Sequence, residues 1–251
     1  MSTSSDKTLI EKLFKAGSHF GFKKRRRHPS VAQYLFTTKD GNDIFDLEKT
    51  AALIESAEEV LKEAGLHGKT VLFVGTKDEA SRIVKAIAEK TESPYVTNRW
   101  IGGMMTNYSE IKRRINRLEA LTNEKESGEL ERKYTKKERV VIGREMTKLS
   151  FNFAGISKMP KLPDLMLVVD PRHDHIAVAE AKERKIPVIA ILSSDCDASQ
   201  VKYPVIANDS LQTSVSVVLE QLSNAYAQGK AAYVPKPVET RKPAPVRRRP
   251  A

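Results

Sequence analysis

Thr70-Val71-Leu72-Phe73-Val74-Gly75-Thr76-Lys77 opens with a run of β-favouring side chains and closes on a glycine turn. Its apolar residues are consecutive, not alternating, which is the pattern of a strand covered on both faces. Residues 78–90 follow with Ala80, Ile83, Val84 and Ile87 at helical spacing. Similar units flank this one. On the N-terminal side, Tyr34-Leu35-Phe36 and Ile44-Phe45 read as strands. Asp46 then caps a helix to about residue 64 that carries Leu47, Ala51, Ile54, Ala57 and Leu61, with Gly65 and Gly68 expected to stop it. On the C-terminal side, residues 95–97, 165–169, 187–192 and 203–206 read as strands. Residues 175–185 and 210–227 read as helices, the second ended by Gly229. Strands alternating with helices predict an α/β fold, a mostly parallel sheet flanked by helices.

Residues 106–153 break that rhythm. Ile111, Ile115, Leu118 and Leu121 recur at helical spacing among charged residues, and Ser127-Gly128 is a turn signal. Thr135-Lys136-Lys137-Glu138 has the pattern of a capping box for a second charged helix. The stretch predicts an inserted antiparallel, coiled-coil-like helical hairpin. Four parts are expected: an N-terminal helix and basic segment over 1–30, the α/β domain over 31–105 and 154–230, the hairpin over 106–153, and a flexible Pro/Arg tail over 231–251.

The chain has 251 residues, 40% hydrophobic and 30% charged, with a formal charge of +11. That composition excludes a wholly disordered chain. No apolar run approaches the ~18 residues of a membrane span. The polar start predicts no signal peptide, and the one cysteine, Cys196, excludes an intrachain disulfide. A reducing, cytoplasm-like compartment is the expectation.

The charge is concentrated. Lys23, Lys24, Arg25, Arg26 and Arg27 contribute five positive charges in succession, and residues 236–251 contribute a net five more. Residues 112–148 carry 12 basic against seven acidic side chains. Three basic regions on one chain point to phosphate backbones, because each cation that neutralises a phosphate releases a counterion. Phe20-Gly21-Phe22 before the run and His28-Pro29 after it suit an extended segment lying along RNA. In the hairpin, Lys112, Arg113, Arg114 and Arg117 are the candidate contacts. Arg99-Trp100-Ile101-Gly102-Gly103 places the only tryptophan beside an arginine. It reads either as a stacking site or as a plug where the hairpin leaves the sheet.

Catalytic and metal signals are thin. Gly68-Lys69-Thr70 ends like a phosphate-binding loop but lacks its first glycine and precedes a strand instead of following one. Val74-Gly75-Thr76-Lys77 is a strand-to-helix turn whose amides could hold an anion. Asp195, Cys196 and Asp197 lie just past the 187–192 strand, where α/β sheets place ligands, and with Asp209 or His19 could bind a divalent ion such as Mg or Zn, Asp195, Asp197 and Asp209 being the candidate ligands. No cofactor is required by any motif.

The chain also resembles a known family. Ala16-Gly17-Ser18-His19-Phe20-Gly21, Asp46-Leu47-Glu48-Lys49-Thr50, Leu72-Phe73-Val74-Gly75-Thr76-Lys77, Asn98-Arg99-Trp100-Ile101-Gly102-Gly103, Leu162-Pro163-Asp164, His175-Ile176-Ala177-Val178-Ala179-Glu180-Ala181 and Asn208-Asp209 recur in order. In this they are similar to the bacterial small-subunit ribosomal protein two, or S-two, family. The resemblance implies a flavodoxin-like domain with an inserted hairpin and no enzymatic activity. It implies binding to small-subunit ribosomal RNA between head and body, neighbouring ribosomal proteins as partners, and help in recruiting the messenger-RNA-capturing S-one protein. Phe22 stands where the family usually has His, which weakens any metal role carried over from that position. Two other readings stay open: a nucleotide-dependent enzyme at the strand ends, and an adaptor that recruits another protein.

Overall fold

The computed structural model of the chain describes residues 4–233. Helix α1 (Ser4–Lys15) leads into a three-stranded antiparallel sheet of β1 (Phe20–Lys23), β2 (Leu35–Lys39) and β3 (Asn42–Phe45), with β3 in the centre. Sequence reading finds only parts of two of these strands and does not pair them. Asp40 and Gly41 join β2 to β3 with φ of 53° and 78°. A two-residue hairpin loop needs positive φ at both positions, and Asp-Gly supplies it.

The larger sheet starts after α2 (Leu47–Leu66). It contains β4 (Val71–Val74), β5 (Tyr95–Val96), β6 (Leu165–Val169), β7 (Val188–Leu192) and β8 (Tyr203–Ile206), ordered β5-β4-β6-β7-β8 and parallel throughout. This is the flavodoxin-like order, with its topological switch at β4. Every residue of β4, β6 and β7 is buried. Alternate side chains serve opposite faces. Val71, Phe73, Leu165, Leu167, Ile189 and Ile191 pack under α2, α3 (Asp78–Lys90) and α8 (Gln212–Ala231). Leu72, Val74, Met166, Val168 and Ala190 pack under α7 (His175–Glu183) and the foot of the hairpin. The consecutive apolar runs are thus explained by two covered faces.

The hairpin consists of α4 (Tyr108–Glu126), a short α5 (Glu129–Lys133) and α6 (Lys136–Phe153). Thr135 and Glu138 form the expected capping box at the start of α6. Ile111, Ile115, Leu149 and Phe153 belong to the core of the sheet domain, whereas Leu121, Leu130 and Ile142 make a separate cluster farther out. Arg117 on α4 pairs with Glu145 on α6 at 3.5 Å. The hairpin therefore carries its own small core and is rooted in the large one.

Two expected helix ends move. α2 runs past Gly65 to Leu66, and α8 runs through Gly229 to Ala231. These glycines do not terminate helices; they let two helices touch backbone to backbone. A Cβ on Gly65 would lie 2.6 Å from Lys230 N and from Tyr226 O, and one on Gly229 would lie 2.2 Å from Lys62 O. The tail expected over 231–251 lies outside the described residues from position 234 on. In an open helix Gly→Ala stabilises by roughly 0.5–1 kcal/mol. Here Gly65→Ala should destabilise by about 1–3 kcal/mol through overpacking, measured as a fall in the urea midpoint. A gain in stability would contradict the close approach.

Candidate nucleic-acid interface

The basic run does not lie extended. Phe20–Lys23 pairs with β3, and Lys24–Arg26 turns as a short 3₁₀ helix anchored by Lys24 N–H donating to Gly41 O at 2.9 Å. Lys23, Lys24, Arg25 and Arg26 are exposed. The Arg26 guanidinium stands 5.0 Å from the Phe22 ring centroid, a cation–π contact that restricts its rotamers. Arg27 behaves differently. Its guanidinium donates to both carboxylate oxygens of Asp43 and to Thr38 Oγ1, and the Asp43 side chain is wholly buried. Arg27 is therefore the internal anchor of the turn, its charge matched by Asp43. His28 is half-buried, its Nδ1 2.8 Å from Ser30 Oγ and 3.7 Å from Asp197 Oδ1.

A second cation, Arg99, is exposed at the foot of the hairpin. Trp100 beside it is 6% exposed and donates its indole N–H to Glu180 Oε1 at 3.1 Å. The same carboxylate accepts from Gly103 N–H at 2.8 Å, Met105 N–H at 2.8 Å, and Thr106 N–H and Oγ1 at 3.1 and 3.3 Å. Burial alone would push the Glu180 carboxyl up. The donors from Met105, Gly103, Trp100 and Thr106 outweigh it and hold the group below the ordinary glutamate range. Arg184 closes the loop by donating to Met105 O and Thr106 O. Trp100 is thus buried as a plug at the joint, the second of its two sequence readings. Sequence reasoning misses Glu180 as a structural centre. Its signal is positional: a carboxylate three residues after buried Ala177 and next to buried Ala181 lies on the apolar stripe of α7.

Along the hairpin, Arg113, Arg114 and Arg117 are exposed and Lys112 is half-buried. Arg113 pairs with Glu110 at 2.7 Å and Arg117 with Glu145 at 3.5 Å. Among the described residues, Lys112 and Arg114 have no acidic partner, so they present the hairpin's least compensated charge of these four.

The strand-end crevice is filled by the chain itself. Lys77 Nζ lies 3.1 Å from Asp170 Oδ2, 3.3 Å from Ser210 Oγ and 3.6 Å from Asp209 Oδ2. Thr76 donates its N–H and hydroxyl to Asp174 at 3.1 and 2.7 Å. The amide that would hold a phosphate is already bonded to a carboxylate. Asp170 adopts φ of 60°, held there as its Oδ1 accepts from Arg172 and His173 N–H. The expected metal trio is corrected. Asp195 pairs with Arg172 at 2.6 Å, and Asp197 accepts from Ser199 N–H and Oγ at 3.0 and 2.7 Å. His19 stacks on Phe14 with centroids 4.7 Å apart, and the tilted Phe20 ring lies 4.0 Å from it. The group actually brought together is Asp170, Cys196 and Asp209, whose ligand atoms lie within 4.8 Å of one another. Its cation is the Lys77 ammonium. Burial and then the Asp170 charge push Asp209 up to about 7, and burial pushes the Cys196 thiol well above its usual range.

A rigid sheet platform that neutralises its own crevice and displays its free cations elsewhere defines a charge-presenting scaffold. The chain belongs to the ribosomal protein S2 family, whose model matches residues 13–229. It is 41% identical over 223 residues to the small ribosomal subunit protein uS2 of Rhodococcus opacus, covering 89% of this chain and 77% of that protein. It is 42% identical over 225 residues to uS2 of Corynebacterium diphtheriae, covering 89% and 84%. The uS2 of Petrotoga mobilis is 40% identical over 230 residues, covering 92% and 78%. The family is structural and non-enzymatic, and the nucleotide-dependent activity considered for the strand ends is set aside. No described helix is long and apolar enough to cross a membrane.

Two charges should tilt the stability curve in opposite directions. Glu180 titrates lower in the folded chain than in the unfolded one, so its contribution is present above the ordinary value of about 4.3 and lost as pH falls through the folded value. Glu180→Gln should cost about 2 kcal/mol at neutral pH and remove part of the acid-side fall. Asp209 titrates higher when folded, so it binds its proton more tightly there and stability falls as pH rises from about 4 to 7. Asp209→Asn should flatten that descent. Urea midpoints from pH 3 to 8 for the chain and both variants would test the two slopes.

Proposed function

We propose that this chain is a structural component of a bacterial-type small ribosomal subunit that binds ribosomal RNA through its exposed cations. The observation that carries this reading is the turn at Lys24–Arg26. With Lys23, it presents four exposed cations on a backbone tied down by the Arg27–Asp43 pair. A phosphate-binding turn held by a buried ion pair loses little conformational freedom on binding. Arg99, Lys112 and Arg114 extend the cationic surface along the foot of the hairpin, and the α/β body acts as the platform that spaces these contacts. Recognition would rest on RNA backbone shape, because the deep major groove of folded RNA hides base edges from side chains.

The parts expected from the sequence fit this division of labour. Segment 1–30 carries the turn, 31–105 with 154–230 forms the platform, 106–153 forms an arm, and the basic stretch within 231–251 adds a further phosphate contact. We also propose that the subunit-bound chain helps recruit the S-one protein, a reading that rests on the family resemblance. The arm is the segment to test, by deleting residues 122–135. Unchanged S-one binding to subunits carrying the deletion would exclude the arm's tip.

Replacing Lys23, Lys24, Arg25 and Arg26 by Gln should weaken binding to small-subunit ribosomal RNA. The log–log salt slope should fall by roughly 0.7–0.9 for each phosphate that is no longer neutralised. Arg27→Gln should act differently. It strands a buried carboxylate, so it should cost about 3 kcal/mol of stability. Filter binding across a salt series, with a urea melt of each variant, separates the two effects. An unchanged slope in the fourfold variant would overturn the RNA contact.

A further inference from the structure

A cleft of about 360 Å³ opens beside the N-terminal end of β7, away from the Lys77 crevice at the strand C-termini. That volume lies in the range of roughly 300–1,000 Å³ typical of ligand clefts. Lys182 from the last turn of α7, Lys185 just beyond it and Lys202 just before β8 all line it, and all three are exposed. Ser199 and Gln200 add hydroxyl and amide groups, and no acidic residue is in the lining. Among the described residues the lysine ion pairs are made by Lys49, Lys77, Lys85, Lys133, Lys161 and Lys230. The three cleft lysines make none among the described residues, although Lys202 Nζ stands 5.3 Å from the Tyr203 ring centroid.

Lys185 stands out. It follows the cap of α7 with φ of 58°, and Ile186 N–H donates back to Ala181 O at 2.8 Å. This is the left-handed position after a helix that glycine normally fills. A lysine there holds a strained backbone and places its charge at the cleft. The cleft also adjoins the basic turn. Gln200 lines both it and a neighbouring depression of about 330 Å³ whose wall includes His28, the residue after the basic run. Acidic groups in that depression are engaged: Asp195 with Arg172, Asp197 with Ser199 and Gln200. Gln200 thus links the lysine cleft to the depression walled by His28.

We propose that the cleft of Lys182, Lys185 and Lys202 is a second phosphate-binding surface for ribosomal RNA, continuous through His28 and Gln200 with the basic turn. This rests on the RNA-binding reading above. Three ammonium groups with no carboxylate among them, standing over an apolar floor of Val178, Ile186, Pro187, Val188 and Val201, suit a polyanionic backbone.

The test uses the full chain and full-length small-subunit ribosomal RNA. The variant carries Lys182→Gln, Lys185→Asn and Lys202→Gln; Asn is chosen because it tolerates positive φ. A urea melt confirms that it folds. The expected result is a salt slope lower by roughly 2, and a comparable decrease added to that of the fourfold basic-turn variant when the two are combined. Arginine at positions 182 and 202 should restore most of the slope. If the cleft variant keeps the full slope while the basic-turn variant loses its share, the cleft proposal is overturned and the RNA reading stands. If neither variant changes the slope, both fail. Full RNA binding with loss of incorporation into reconstituted subunits would mean a protein partner occupies the cleft, which also overturns the proposal.

Discussion

The buried carboxylate of Glu180 holds the molecule's two parts in register. It gathers the Trp100 indole and the backbone amides of Gly103, Met105 and Thr106 at the point where the chain leaves the sheet for the hairpin. An anion surrounded by amide donors in a low-dielectric interior is strongly held, and each donor it takes would otherwise be an unsatisfied buried group. Because Glu180 projects from α7, which packs on the sheet, the direction of the hairpin is set by the sheet. The cations on α4 are then presented from a defined position, which a flexible arm could not achieve.

The same economy of charge runs through the molecule. Cations that face buried carboxylates are structural: Lys77 between Asp170 and Asp209, and Arg27 against Asp43. Other cations, Lys23, Lys24 and Arg25 among them, face solvent with no acidic partner among the described residues. The crevice where this fold class commonly holds ligands is closed by Lys77, Asp174 and Asp209. In this family the α/β fold serves as a platform, which illustrates that fold class does not dictate activity.

Much of the platform is legible in one dimension. Apolar runs at residues 71–74, 165–169 and 188–192 have the pattern of doubly covered strands, and Thr135 with Glu138 announces the start of α6. Asp40-Gly41 is a hairpin signal that is hard to read because β2 is mostly exposed and β3 buries the charged Asp43 at an inward position. Gly65 and Gly229 look like punctuation. Only their mutual approach shows why glycine is needed there.

The site divides along the same line. Composition and the placement of basic runs determined that the chain presents cations, and the order of motifs determined its family. Local sequence determines these things because they depend on residue identity and short spacing. Several of the pairings that decide which groups are engaged span 16 or more residues: Arg27 found Asp43, Trp100 found Glu180 80 positions on, and Lys77 found Asp170 and Asp209. The lysine cleft likewise joins a helix end to a strand start across the sheet edge. Pairing and burial are decided by tertiary proximity, because the sign of a charge is local but its compensation is not.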